Sequence, residues 1–243
     1  MSIAVIIPTY NEKENLPLIV DRLRSLPLDD LTILVVDDNS PDGTGALADE
    51  LAAHSQGQLT VIHRAGKLGL GSAYITGFEH LLATDTDFIV QMDADFSHQP
   101  EKLVEFVSAI EGYDVIFGSR YVPGGSLDHD WPAWRKGLSN FGNTYARTIL
   151  GMPVRDLTGG FRLWRRETIA AIPLERVRSN GYVFQVELAY IIYRLGFKIK
   201  EMPIYFAERQ LGSSKMNFSI QVEAALRVWG LLTRYRDLQP LRR

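Results

Sequence analysis

Phe88-Ile89-Val90-Gln91-Met92-Asp93-Ala94-Asp95-Phe96-Ser97-His98 begins as a short apolar run and ends in two carboxylates one residue apart, a hydroxyl and an imidazole. The apolar part, bounded by Asp85 and Asp87, has the pattern of a buried strand. If the strand continued, Asp93 and Asp95 would share one face and Ala94 would point the other way. Two carboxylates pointing together repel and are costly to bury unless positive charge sits between them. A hard divalent cation shared with a phosphorylated ligand meets that need, because Mg2+ binds through one or two carboxylates plus phosphate oxygens. Asp-Ala-Asp alone reads equally well as a solvated strand end, since Asp is common where strands stop.

The flanking sequence supplies the context. Ile3 to Ile7 is a β-branched run typical of a strand covered on both faces, and Pro8-Thr9-Tyr10-Asn11-Glu12 ends it. Leu16, Ile19, Val20, Leu23 and Leu26 then recur at helical spacing. Leu31 to Val36 is the next strand, followed by Asp37-Asp38-Asn39-Ser40-Pro41-Asp42-Gly43, a helix from Ala46 and a strand at Leu59–His63. Gly69-Leu70-Gly71 opens another helix. It lacks the third glycine of a dinucleotide fingerprint and does not follow the first strand, so a tight turn is the better reading. After the opening stretch come a helix from Pro100 and a strand at Val115 to Phe117. Alternating strands and helices predict an α/β domain whose mostly parallel sheet is flanked by helices. Ligands of such sheets bind beyond the carboxyl ends of the strands. Three of those ends carry Tyr10 and Glu12, Asp37 and Asp38, and Asp93 and Asp95, which predicts one shared site.

The second half differs. Trp134, Leu138, Phe141, Tyr145 and Ile149 form an apolar stripe between Trp131 and Leu150, with Lys136, Asn140, Asn143 and Arg147 opposite. This is an amphipathic helix, either packed on the core or laid on a membrane surface. A glycine-containing loop from Asp156 to Arg162 leads into a short strand; 181–195 reads as a helix and 197–206 as a strand. Arg209 to Lys215 is a Gly/Ser loop with two cations, and Phe218 to about Arg236 is a last helix carrying Glu223, Arg227 and Arg234 on one side. Glu187, inside an apolar helix, needs a cationic partner, for which Arg162 is the expectation. Asp156 is expected to order its loop, and His63 and His98, without partners at metal spacing, to be structural or solvated.

A net charge of −3 argues against a general nucleic-acid binder. The absence of cysteine excludes disulfide and thiolate chemistry. Neither a signal peptide nor a run of apolar residues long enough to span a bilayer is expected from the sequence. Basic residues outnumber acidic ones from Arg209 onward, which suits the anionic cytoplasmic leaflet of a membrane.

The ordered set Pro8–Glu12, Asp37–Thr44 and Asp93-Ala94-Asp95 resembles the inverting family 2 glycosyltransferases of GT-A fold. Phe117 to Tyr121, Thr158 to Arg162, Tyr182 to Glu187 and the Arg209…Gly212…Lys215 loop narrow the resemblance to the polyprenyl-phosphate (dolichyl-phosphate) mannose synthases, over nearly the whole chain. The resemblance implies a Rossmann-like GT-A domain over 1–216, containing the helix at about 132–150, and an interfacial helix with a basic tail over 217–243. It implies transfer of mannose from GDP-mannose to a polyprenyl phosphate, with Mg2+ or Mn2+ as cofactor. Pro8, Tyr10, Glu12, Val36 and Asp38 would hold the nucleoside. Asp93 and Asp95 would hold the metal and its diphosphate, with the Ala94 backbone against the nucleotide, and Arg120, Arg209 and Lys215 would meet phosphates or the sugar. Asp93 is alternatively a sugar contact, leaving Asp95 as the firmer ligand. Ser97 stands where some relatives carry an amide and is not assigned as a direct ligand.

These roles agree with the chemistry expected of the residue types. Tyr10 can stack on a base and Asp38 can accept from base or ribose donors. Arg209 and Lys215 sit on a loop able to close over a departing diphosphate. A phosphate monoester acceptor has a second pKa of about 6 and needs cations more than a base, a part suited to Arg120, Arg135 and Lys215. The alternatives are a synthase using UDP-glucose or another nucleotide-sugar, a transferase acting on a hydroxyl acceptor, and a non-catalytic nucleotide-sugar-binding subunit. The expected location is the cytoplasmic face of a membrane, reached through the amphipathic helices or a small membrane-spanning partner.

Overall fold

The computed structural model describes residues 1–208 and 227–241. Ile3–Thr9 forms β1, Leu31–Asp37 β2, Leu59–His63 β3 and Phe88–Gln91 β4. They are joined by helices α1 (Leu16–Arg24), α2 (Thr44–Ala53) and α3 (Leu70–Leu82). Then follow α4 (Lys102–Ala109), β5 (Val115–Ser119), β6 (Ser126–Leu127) and α5 (Ala133–Leu150). The last elements are β7 (Arg162–Arg165), α6 (Arg166–Ala170), α7 (Tyr182–Arg194), β8 (Ile199–Pro203) and β9 (Tyr205–Phe206), with residues 227–234 helical. The strand expected over 197–206 is therefore two, interrupted at Ile204.

The seven-stranded sheet has the order β3-β2-β1-β4-β7-β5-β8. Only β7 runs antiparallel to its neighbours, β4 and β5. The β-branched runs read as doubly covered strands, and they are. Ile3, Val5 and Ile7 enter one core with Ile33, Val35 and Val90, while Ala4 and Ile6 enter the other with Leu34, Val36 and Ile89. Helices α1, α2 and α4 cover the first face, and α3, α5, α6 and α7 the second. Each side chain so buried contributes roughly 1.5–3 kcal/mol relative to exposure, before the entropy of ordering the chain is counted.

The chain moves outward from β1 to β2 and β3, then returns to place β4 on the other side of β1. That reversal opens a crevice beyond the carboxyl ends of β1 and β4, where open α/β sheets bind ligands. Gly69 and Gly71 serve the packing beside it. Gly69 has φ +101°, and a Cβ on Gly71 would stand 2.7 Å from the Ser179 carbonyl, so α3 closes on the loop before α7 only without a side chain there.

Helix α5 departs from its periodicity. Trp134 and Phe141 of the apolar stripe are 69% and 64% exposed, while Asn143, from the opposite row, is 1% exposed and lies beside Ala146 and Leu150. Tyr145 and Ile149 only partly join the core. In the C-terminal segment expected as an interfacial helix, the described part packs into the same core through Val228, Leu231 and Tyr235. Trp229 on its outer side is 56% exposed and donates its indole N–H to the Tyr145 hydroxyl at 3.0 Å. No helix among the described residues is long and apolar enough to cross a membrane.

Candidate active site

The turns after β1 and β2 are tied to each other. Thr9 Oγ1 and Ser40 Oγ donate to Asp37 Oδ1 at 2.9 and 2.6 Å, so Asp37 is buried as the anchor of these turns. Asp38 faces Arg64 Nη1 at 2.7 Å and accepts the amides of Leu68 and Gly69 at 3.1 and 3.2 Å. Asp42 accepts the Thr44 hydroxyl and amide at 2.6 and 3.0 Å; against a burial effect that would raise it, these bonds hold its carboxyl below the ordinary value. The Glu12 amide donates to Thr44 Oγ1 at 3.0 Å, and its carboxylate accepts from Asn15 Nδ2 at 2.8 Å. Asn11 and Asn39, two residues past β1 and β2, and Phe96, in the turn that follows β4, have φ of 61°, 55° and 58°. Asn tolerates this left-handed backbone; for Phe it is strained, and such strain gathers at functional sites.

Strand β4 stops at Gln91, so Asp93 and Asp95 do not share a strand face as a continuing strand would have it. The chain turns instead, and the Ser97 amide donates to Asp95 Oδ1 at 3.1 Å. Both carboxylates still reach one cleft, Asp95 buried and Asp93 half-buried. The buried Tyr74 hydroxyl donates to Asp93 Oδ1 at 3.2 Å; burial and then the Asp93 charge raise this phenol well above its ordinary value, so it keeps its proton. The Asp93 amide donates to His98 Nδ1 at 3.3 Å, which leaves the proton of a neutral ring on Nε2. Burial lowers His98 against the pull of Asp93 and Asp95, and the ring stacks on Phe161 at 5.2 Å between centroids. His98 is structural, as read from the sequence, yet it lines the cleft. His63 forms an exposed pair with Asp49 at 2.9 Å.

Among the described residues no three His, Asp or Glu side chains gather as a metal cage. A pair of carboxylates facing an open cleft is the donor set a hard cation takes when phosphate oxygens supply the rest. Beside Asp95, the buried Ser97 hydroxyl has no hydrogen-bond partner among the described residues. Asp93 and Asp95 fit Mg2+ or Mn2+ on these grounds.

The cleft, of about 550 Å³, brings together Pro8, Tyr10, Glu12, Asp38, Asp93, Ala94, Asp95 and Arg120 of the residues expected from sequence. Val36 does not line it; the side chain is fully buried in the core beneath. Arg209 and Lys215 lie outside the described residues. Two cationic wall residues, Lys67 and Arg227, escaped sequence reading. Lys67 Nζ stands 3.9 Å from the centre of the Tyr10 ring, and its place just before the Gly69 turn was the only signal available.

Across from the strand ends, Asp156 accepts Arg120 Nε and Nη2 at 2.7 Å each and the Gly159 amide at 3.1 Å. It orders its loop as expected and also neutralises Arg120. Burial would lower Arg120, but the adjacent Asp156 raises it above its ordinary value; burial would raise Asp156, and Arg120 holds it below. Asn143 Oδ1 accepts the amides of Leu157 and Thr158 at 2.8 and 3.2 Å, which explains why this polar residue faces inward. Arg135 is occupied too, bonding Glu208 at 2.9 and 3.1 Å and lying 3.7 Å over Trp131.

Glu187 does not pair with Arg162. Its carboxylate accepts Arg234 Nη1 at 2.7 Å, the Tyr235 hydroxyl at 2.8 Å and the amides of Arg178 and Ser179 at 3.2 and 2.8 Å. Arg162 turns instead to three carbonyls, those of Gly159 at 3.1 Å, Gln185 at 2.9 Å and Leu157 at 2.9 Å. Burial pushes Arg162 down to about 9, with Asp156 opposing, which leaves it charged at neutral pH.

Comparison with known proteins places this architecture. The chain is 50% identical over 230 residues to a polyprenol monophosphomannose synthase of Mycolicibacterium smegmatis, covering 93% of this chain and 86% of the relative. It is 48% identical over 242 residues to an undecaprenyl-phosphate mannosyltransferase of Micrococcus luteus, covering 98% of each. A crystal structure of glucosyl-3-phosphoglycerate synthase from Mycobacterium tuberculosis with UDP superposes with a TM-score of 0.64 at 21% identity, over 96% of this chain and 79% of that one. At that identity the likeness speaks to the GT-A fold alone. The family model described as "Glycosyl transferase family 2" matches residues 4–172, and with these relatives it shows that the chain belongs to glycosyltransferase family 2.

Proposed function

We propose that this protein transfers a mannosyl group from GDP-mannose to a polyprenyl phosphate with inversion at the anomeric carbon. The observation that carries the reading is the 48% identity, over 98% of both chains, to an undecaprenyl-phosphate mannosyltransferase. The cleft supports it: acidic and aromatic groups at the ends of β1, β2 and β4 suit a nucleotide-sugar, with Tyr10, Glu12 and Asp38 toward the nucleoside and Asp93 and Asp95 toward the diphosphate. In this reading Asp93 and Asp95 hold Mg2+ or Mn2+, and the bound ion stabilises the negative charge on the departing diphosphate.

An oxygen of the polyprenyl phosphate forms the new bond to the anomeric carbon. The bond from that carbon to the diphosphate breaks, and GDP leaves with its electron pair. No proton has to be removed, because a phosphate monoester is largely dianionic at neutral pH. Arg120, Arg209 and Lys215 are the residues proposed to meet the phosphates. Arg120 does so as half of an ion pair, which weakens its pull and fixes its position. Trp134 and Phe141 on α5, with Trp229 nearby on the C-terminal segment, are proposed to rest on the membrane surface that holds the acceptor, at its cytoplasmic face.

The test is transfer of labelled mannose from GDP-mannose into an organic-extractable product that requires added polyprenyl phosphate, with EDTA and Asp95→Ala as controls. EDTA should abolish the product and Asp95→Ala should lower it about a hundredfold or more. A protein that binds GDP-mannose without transferring it overturns the acceptor. One that neither binds nor transfers overturns the donor, and UDP-sugars are then the substrates to assay.

A further inference from the structure

Gln185 stands in the first turn of α7, with its side chain 2% exposed and forming part of the cleft wall. Neither Nε2 nor Oε1 has a hydrogen-bond partner among the described residues. A buried amide left with all its hydrogen-bonding capacity unmet is rare in native proteins and destabilising. Its backbone, by contrast, is pinned, because the Gln185 carbonyl accepts Arg162 Nη1 at 2.9 Å. The backbone is thus fixed by its own helix and by a buried cation, and nothing among the described residues satisfies the side chain.

What it faces is marked by Gly160. A Cβ placed there would stand 3.6 Å from Gln185 Nε2, 3.6 Å from His98 Cε1 and 3.7 Å from Asp93 Oδ2. The amide, the imidazole and the carboxylate therefore surround one small space that the glycine leaves open, at the Asp93 end of the cleft. A side-chain amide presents two N–H donors and a carbonyl acceptor. A phosphate dianion has only acceptors and would leave Oε1 unmet. Sugar hydroxyls both donate and accept, so a pair of them satisfies both ends of the amide.

We propose that Gln185 binds the hydroxyls of the transferred sugar, in the space bounded by Gly160, His98 and Asp93. The inference rests on the nucleotide-sugar reading above and adds to it the residue that recognises the sugar rather than the nucleotide. Neutrality matters here: a carboxylate in place of the amide would lose the donors and set a second negative charge beside Asp93.

The experiment compares binding of GDP-mannose and of GDP, with Mn2+ present, by titration calorimetry on the full chain and two variants. Gln185→Leu removes donor and acceptor at similar volume, and Gln185→Asn keeps the polarity and the neutrality but withdraws the amide by one methylene, should the apolar variant fold poorly. Each variant should weaken GDP-mannose tenfold or more and leave GDP within twofold, since GDP carries no sugar. GDP-mannose binding within twofold of wild type in both variants overturns the inference. So does a parallel loss of GDP, which would make Gln185 a structural residue. Wild-type protein that takes neither ligand overturns the donor reading instead, and UDP-glucose against UDP then decides Gln185 by the same comparison.

Discussion

The two walls of the cleft handle charge in different ways. At the ends of β1 and β2, Asp37 and Asp42 accept from hydroxyls and backbone amides, and after β4 Asp95 accepts the Ser97 amide, while Asp38 faces Arg64. On the opposite wall and its supports, Arg120, Arg135 and Arg234 each face a carboxylate, Asp156, Glu208 and Glu187 respectively. The first wall is disposed to attract a cation. The second has much of its charge cancelled, and Gln185, proposed above to hold the sugar, is neutral. Lys67 and Arg227 bring positive charge to the cleft, and a divalent ion at Asp93 and Asp95 would add the charge an anionic donor needs beside those two carboxylates.

The contrast is tested most severely by removing one anchor from each wall. Asp156→Ala should cost about 3–5 kcal/mol in urea unfolding, because it strands the buried Arg120 charge and the Gly159 amide. Asp42→Ala removes an exposed local cap and should cost about 1 kcal/mol. Equal losses would mean that the walls are not built differently. The larger effect also carries a pH signature. Arg120 holds the folded Asp156 carboxyl below its ordinary value, so its contribution is fully present above the unfolded value of about 3.9 and is lost as pH falls through the depressed folded value. The stability gap between wild type and Asp156→Ala should therefore be constant near neutrality and narrow only below about pH 4.

A smaller effect distinguishes the two partners considered for Glu187. A double-mutant cycle of Glu187→Gln with Arg234→Met should give a coupling of about 1–2 kcal/mol, moderated because the Arg234 side chain is 38% exposed. A coupling near zero would mean that Glu187 is held by the Tyr235 hydroxyl and the amides of Arg178 and Ser179 rather than by Arg234.

The same contrast explains what was legible in the sequence. The β1, β2 and β4 runs could be read because doubly covered parallel strands are continuous apolar stretches. Tyr10, Glu12, Asp38, Asp93 and Asp95 could be placed together because successive strand ends of βαβ units meet at one edge. The far wall is made by contacts that leave no local pattern. Arg120 meets Asp156 36 residues on, and Glu187 meets Arg234 47 residues on. Arg162 does not serve Glu187 because its guanidinium is spent on three carbonyls, an environment composition does not reveal. Periodicity likewise did not tell which row of α5 faces the core. It counts apolar residues, and Asn143 faces inward to cap the amides of Leu157 and Thr158.

That row supplies the mildest test, in which almost nothing should happen to the fold. Phe141 is 64% exposed and its ring stacks on Tyr145 at 6.1 Å, so Phe141→Ser should change stability by no more than about 0.5 kcal/mol. Two residues along, Asn143→Ala would orphan two buried amides and should cost about 1–3 kcal/mol. If the exposed aromatic row rests on lipid, the order reverses in a second assay. Sedimentation with anionic vesicles should show weaker binding for Phe141→Ser and for Trp134→Ser, and wild-type binding for folded Asn143→Ala. A large stability loss in Phe141→Ser would mean that the row is covered by protein. Unchanged vesicle binding in both aromatic variants would remove α5 from the membrane surface and leave the outer side of the C-terminal segment, with Trp229, to provide it.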